Sequence, residues 1–170
     1  MPGIFQFKLT HPNAKLPVNG KPGDIGWDLA CVEDFTLAPG QTFAVDTGLQ
    51  LADAPKTTGD DCFLQVVSRS GLSLKGVYTL GGIIDNSYRG EIKVILHNGN
   101  PPVLKDIRLG VPVYEDTGIE FKAGDRVAQL LVQRVWTDNL SVPMFGATDV
   151  VTETVRGADG FGSTDKPKKV

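Results

Sequence analysis

The stretch "TLGGIIDNSYRGEIKV" (79–94) sets one carboxylate, Asp85, and one aromatic ring, Tyr88, just past a Gly-Gly pair and ahead of an alternating run. A carboxylate so placed can take a proton from a water if it is ionised and within hydrogen-bond reach. The glycines by themselves require only a tight turn, and they predict a hairpin tip. Three more stretches carry groups suited to an anion. "SRSG" (68–71) joins a guanidinium, two hydroxyls and a glycine at the predicted start of a short helix, where Arg69 and backbone N–H groups can meet a phosphate. It equally fits a capped surface helix with an ordinary arginine. "GDRVAQLLV" (124–132) is a turn leading into a strand, in which Gln129 is either a ligand contact or a satisfied polar group of a barrel. "RGADGFGST" (156–164) sets Phe161 between glycines and follows it with two hydroxyls. That composition fits a flexible tail, or a lid in which Phe161 stacks on a flat base while Arg156, Ser163 and Thr164 reach phosphates.

Other chemistries lack their residues. His11 and His97 are isolated, no GxSxG serine or reactive-cysteine signature stands near them, and no HxxEH, CxxC or GxxxxGK[ST] pattern occurs. A metal held directly by a protein cage is therefore not expected. The net charge of −3 argues against general binding to nucleic acid or to a membrane surface, both of which favour a basic face. The first residues, "MPGIFQFKLTHPNAK", lack the apolar core of a secretory signal, and no run has the length of a membrane span. With no export signal, Cys31 and Cys62 are expected to be buried or free thiols rather than a disulfide, and the location to be intracellular.

The elements that must position these groups are short strands. A chain of 170 residues is most simply one domain, and its 20 glycines and 11 prolines cut it into brief segments. "IFQFKL", "TFAVDTGLQL", "CFLQVV", "EIKVILH" and "RVAQLLVQRV" have strand character, and "EIKVILH" alternates polar and apolar residues. Helical spacing is absent except near "SRSGLSLKG", where Ser68 or Ser70 could cap a short helix. The expected class is all-β, a sandwich or closed barrel with at most one short helix. Residues 98–122 form a long connection with three prolines, and "RGADGFGSTDKPKKV" has no core pattern.

Taken in order, "GDIGWDLAC", "SRSGLSLKG", "LGGIIDNSYRGEI", "KAGDRVAQLLV" and "RGADGFGST" resemble the five motifs of the trimeric dUTP pyrophosphatases (dUTPases), and they span nearly the whole chain. The resemblance implies a jelly-roll-type β-barrel and a homotrimer whose sites draw on three subunits. It implies a barrel core over residues 1–136, with an insertion at about 99–122, and an arm over 137–170 that carries the lid. It also implies hydrolysis of dUTP to dUMP and pyrophosphate, which keeps uracil out of DNA and supplies dUMP for thymidylate synthesis. By the same resemblance Asp85 activates the water that attacks the α-phosphorus, and Tyr88 lies against the deoxyribose where a 2′-hydroxyl would collide. The main chain of residues 80–83, with Gly82 and Ile83, reads uracil, and Lys93 is a further substrate contact. Arg69, Ser70, Gly71 and Gln129 match phosphate-binding positions, while Arg156, Phe161, Gly162, Ser163 and Thr164 match the closing tail. Mg²⁺ is expected on the phosphates and water, with Asp28 acting indirectly, through water or through Arg69.

Three features depart from the family pattern. Trp27 stands where tyrosine is usual, Asp165 where glycine is common, and the connection before Gly124 is long. Insertions at this place resemble those of certain phage dUTPases, which points to a viral or phage origin and a location in the host cytoplasm or nucleus. The insertion reads as a solvated loop or as a contact surface for another protein. Two other readings stand beside the hydrolase. dCTP deaminases share the fold but use a glutamate ten positions after the motif-three Asp, where this chain has Ile95. A member without catalysis, acting as a binding module, would most simply have lost Asp85, Tyr88, Arg69 or Phe161, and all four are present.

Overall fold

The computed structural model describes residues 4–55, 62–115, 117–134, 144–154 and 157–158. One five-stranded sheet has the order β14 (Met144–Ala147), β1 (Ile4–Leu9), β5 (Thr42–Asp53), β9 (Glu91–Asn98) and β7 (Val77–Thr79). The other has the order β2 (Val18–Asn19), β3 (Trp27–Ala30), β13 (Arg126–Arg134), β6 (Cys62–Val67) and β8 (Ile83–Ile84). Two strand pairs complete the chain: β4 (Phe35–Leu37) with β12 (Ile119–Phe121), and β10 (Leu104–Arg108) with β11 (Val111–Tyr114). Among the described residues the only helix is α1 (Ser70–Ser73). This is the all-β, jelly-roll-type architecture that the short strands and the motifs predict. No helix among the described residues is long and apolar enough to cross a membrane.

Period-two patterning builds the core. On β9, Ile92, Val94 and Leu96 point inward and are fully buried, while Glu91, Lys93 and Ile95 occupy the other face. On β6 the inward set is Cys62, Leu64 and Val66. They join Phe5, Phe7, Leu29 and Leu130 in one cluster drawn from both sheets, and each large side chain there contributes about 1.5–3 kcal/mol. Trp27 packs against this cluster, as a large aromatic in motif one should. Both cysteines are buried free thiols.

Three local expectations are corrected. First, the Gly-Gly segment is no hairpin tip. β7 bonds to β9 in one sheet and β8 bonds to β6 in the other, so residues 80–82 carry the chain across the seam between the sheets. Gly82 has φ +114°, and a Cβ there would lie 2.3 Å from the Val66 carbonyl oxygen, whose own N–H donates to Gly82 O at 2.7 Å. Second, neither Ser68 nor Ser70 caps α1. Arg69 is the N-cap residue, without a side-chain bond, and the Ser68 hydroxyl accepts from Thr79 N–H instead. Third, residues 104–114 of the insertion form a hairpin rather than a loop. Its two-residue turn has positive φ at both Leu109 and Gly110, the twist that a tight antiparallel connection requires.

Candidate functional site

A cleft of about 170 Å³ opens at the seam where β8 of one sheet meets β9 of the other. Gly82 and Ile83 of the crossing segment line it, with Asp85 and Tyr88 just beyond and Lys93 and Ile95 from the outward face of β9. A tight turn follows β8, closed by Tyr88 N–H donating to Asp85 O at 2.9 Å, and this turn places Asp85 at the cleft. Tyr88 is buried, its hydroxyl donates to Glu91 O at 3.0 Å, and burial pushes its pKa up, with Lys93 partly opposing. A Cβ on Gly90 would sit 2.3 Å from Tyr88 Oη, so that glycine is what lets the ring fold back over the chain.

Each remaining polar group of this cleft has a structural partner. The Lys93 ammonium pairs with Asp46, and that hydrogen bond raises its pKa above the usual lysine value. The carboxylate of Glu91, which the sequence reading did not single out, accepts from Gly48 N–H at 2.8 Å and steadies an irregular stretch of β5. Of the main-chain groups in residues 80–83, Leu80 N–H donates to Ile95 O at 2.9 Å and Gly82 O accepts from Val66.

The second cleft, of about 330 Å³, is lined by Arg69, Ser70, Gly71, Lys75 and Gln129. Sheet register brings its parts together. Gln129 of β13 lies between Asp28 of β3 and Val67 of β6, and Arg69 follows β6 by two residues. Gly26 sits under the Gln129 amide, since a Cβ there would approach its atoms to 3.0 Å. Asp28 is 7% exposed and faces two guanidiniums. Its Oδ2 accepts from Arg126 Nη1 at 3.0 Å, and its Oδ1 lies 3.1 Å from Arg69 Nε, close enough to pair the charges without an aligned hydrogen bond. Arg69 Nη1 donates to Arg126 O at 2.8 Å, which fixes the guanidinium plane. Asp28 is thus in contact with Arg69, one of the two partners expected for it. Arg126 and Lys75 were not singled out in the sequence, although Arg126 stands inside the quoted "GDRVAQ" and Lys75 inside "SRSGLSLKG".

The two clefts share no lining residue. Arg156, Phe161, Gly162, Ser163 and Thr164, expected to close over the substrate, lie outside the described residues, as does Asp165. Both carboxylate oxygens of Asp28 face arginines. Among the described residues no three His, Cys, Asp or Glu side chains cluster to hold a metal ion.

The dUTPase family model matches residues 12–165. The deoxyuridine 5'-triphosphate nucleotidohydrolase of Wolinella succinogenes is 40% identical over 159 residues, covering 92% of this chain and 90% of that protein. The enzyme of the same description from Cowpox virus is 37% identical over 152 residues, covering 89% and 86%. Identity therefore does not separate a bacterial from a viral origin. Among solved structures, the dUTPase from phage phi11 of S. aureus superimposes with a TM-score of 0.61 at 25% identity, covering 81% of this chain and 94% of that one.

Proposed function

The chain belongs to the dUTPase family, and from that premise we propose that it hydrolyses dUTP to dUMP and pyrophosphate with Asp85 as the base. The observation that carries this reading is the seam cleft, where Asp85 and Tyr88 stand beside the main chain of residues 80–83. Uracil is read there by backbone groups. A base with the opposite donor and acceptor order, cytosine, would leave buried groups unpaired, which discriminates strongly. Tyr88 lies against the deoxyribose and excludes a 2′-hydroxyl. A water held by Asp85 loses its proton to the carboxylate as its oxygen bonds to the α-phosphorus, and the bond from that phosphorus to the β-phosphate oxygen breaks. Mg²⁺ carried on the triphosphate would supply neutralisation of phosphate charge. Arg69, Ser70, Gly71 and Gln129 hold the phosphates, with Asp28 orienting Arg69. By the family pattern, Phe161 with Gly162 covers the base while Arg156, Ser163 and Thr164 reach the γ-phosphate.

The deaminase reading loses support at Ile95, which lines the same cleft and cannot move a proton. The homotrimer gains support from the two clefts, since by the family pattern a nucleotide needs both and within one chain they share no lining residue. Ile25, Leu74 and Ile83, exposed apolar residues next to motif one and the two clefts, are suited to subunit contacts. The exposed face of the insertion hairpin, where Leu104, Ile107, Pro112 and Tyr114 align, supports its role as a contact surface for another protein. Replacing Ile107 and Tyr114 by serine should leave hydrolysis unchanged while weakening any such contact.

Pyrophosphate release from dUTP, dCTP, dTTP and UTP, compared between wild type and Asp85→Asn, tests the activity. Turnover of dUTP alone, reduced about 10²–10⁴-fold in kcat by the substitution, is expected. Undiminished turnover in the folded variant would remove Asp85 from the mechanism.

A further inference from the structure

Arg89 is 8% exposed, yet among the described residues no carboxylate lies within ion-pairing distance of it. A buried cation is costly unless its donors are satisfied, and here oxygens from two chain segments satisfy them. Nη1 donates to Asn86 O at 2.5 Å and to Tyr88 O at 3.0 Å, both in the turn that carries Asp85. Nε donates to Thr152 O at 3.0 Å, and Nη2 to Thr152 Oγ1 at 3.1 Å, both in the arm. Thr152 is anchored in turn, since its N–H and hydroxyl donate to Ala52 O at 3.1 and 2.8 Å. Beside this staple, Thr154 Oγ1 donates to Ser87 O at 2.5 Å, and Arg89 N–H donates to Gly157 O at 2.6 Å.

We infer that Arg89 is a positioning residue: its guanidinium ties the 85–89 turn to the arm at Thr152, so that the placement of Asp85 depends on the docked arm. Within the turn, Tyr88 N–H donates to Asp85 O, while the Asn86 side-chain oxygen is buried without a hydrogen-bond partner. The planar, forked guanidinium reaches both segments at once, which a single ammonium cannot do. Any loosening at Arg89 therefore moves the carboxylate without touching the nucleotide, a change that reduces kcat rather than affinity.

The inference rests on Asp85 as the base, so Asp85→Asn is measured in parallel. Arg89→Met, Arg89→Lys and Thr152→Val are assayed on full-length protein for kcat and KM with dUTP, with thermal melts. A displacement of the base by an ångström can cost up to about 10²-fold, so Arg89→Met should lower kcat by about 10-fold or more, with KM within about 3-fold. Arg89→Lys should fail to restore the rate, and the double variant Arg89→Met with Thr152→Val should be no slower than Arg89→Met alone, because the pair acts as a unit. Should Arg89→Met not fold, Thr152→Val carries the test, with an expected loss of about 3-fold in kcat at unchanged KM. A kcat within 2-fold of wild type in the folded single variants would overturn the inference, as would effects of the two substitutions that multiply. An inactive Asp85→Asn beside such results would leave the Asp85 reading intact. A fully active Asp85→Asn would defeat both.

Discussion

Tyr88 makes two separable contributions, because its ring and its hydroxyl face different partners. The hydroxyl serves the protein, donating to Glu91 O, and the ring lines the cleft. Tyr88→Phe should therefore cost about 1 kcal/mol of stability while leaving the preference for dUTP over UTP unchanged. Tyr88→Ala should lower that preference about 10-fold or more, read as the ratio of kcat/KM values. Lys93 gives a prediction in pH. Its pKa is raised above the usual value of 10.5, so the pairing with Asp46 stabilises fully below that value and is lost as pH rises through the raised one. The difference in melting temperature between wild type and Lys93→Met should be constant from neutral pH to about 9 and shrink beyond about 10.5.

The segment of residues 80–82 is held by geometry that only glycine can take at position 82. Gly82→Ala combines φ +114° with a 2.3 Å contact to the Val66 carbonyl oxygen. It should cost about 2 kcal/mol or more and abolish turnover, with a lowered melting temperature as the measurement. This segment also marks where the sequence was hard to read. The long strands were legible because β6 and β9 each show several inward residues at period two. β7 and β8, with three and two residues, are too short to show a period, so two glycines between them read as a hairpin although the chain was changing sheets. In the insertion, a bulge between Leu104 and Asp106 brings Leu104 and Ile107, three apart, to one face, and that irregularity hid the pattern of alternation. Asp85, Tyr88 and Arg69 were legible as chemistry in turns, and Gln129 as the polar residue inside the run VAQLLV. Arg126 and Arg89 were not, since what they do depends on partners 98 and 63 residues away in sequence.

The whole molecule raises a question that neither cleft answers alone. On the proposed reading a nucleotide with three phosphates meets Asp85 and Arg69 together, whereas within one chain these residues line separate clefts. A symmetric assembly resolves this if the seam cleft of one subunit faces the Arg69 cleft of the next, which is a heterologous contact that closes on itself as a ring. Mixing two inactive chains distinguishes the arrangements. In Asp85→Asn the Arg69 cleft is intact, and in Arg69→Ala the seam cleft is intact, so in the proposed trimer neither variant alone has a complete site. If each site takes Asp85 from one subunit and Arg69 from its neighbour, unfolding and refolding the two chains together in equal amounts should complete about one quarter of the sites. dUTP turnover should then recover to about that fraction of wild type, while each variant refolded alone stays inactive. Recovery that fails, with native mass spectrometry reporting mixed trimers, would place both residues in a site built by a single chain.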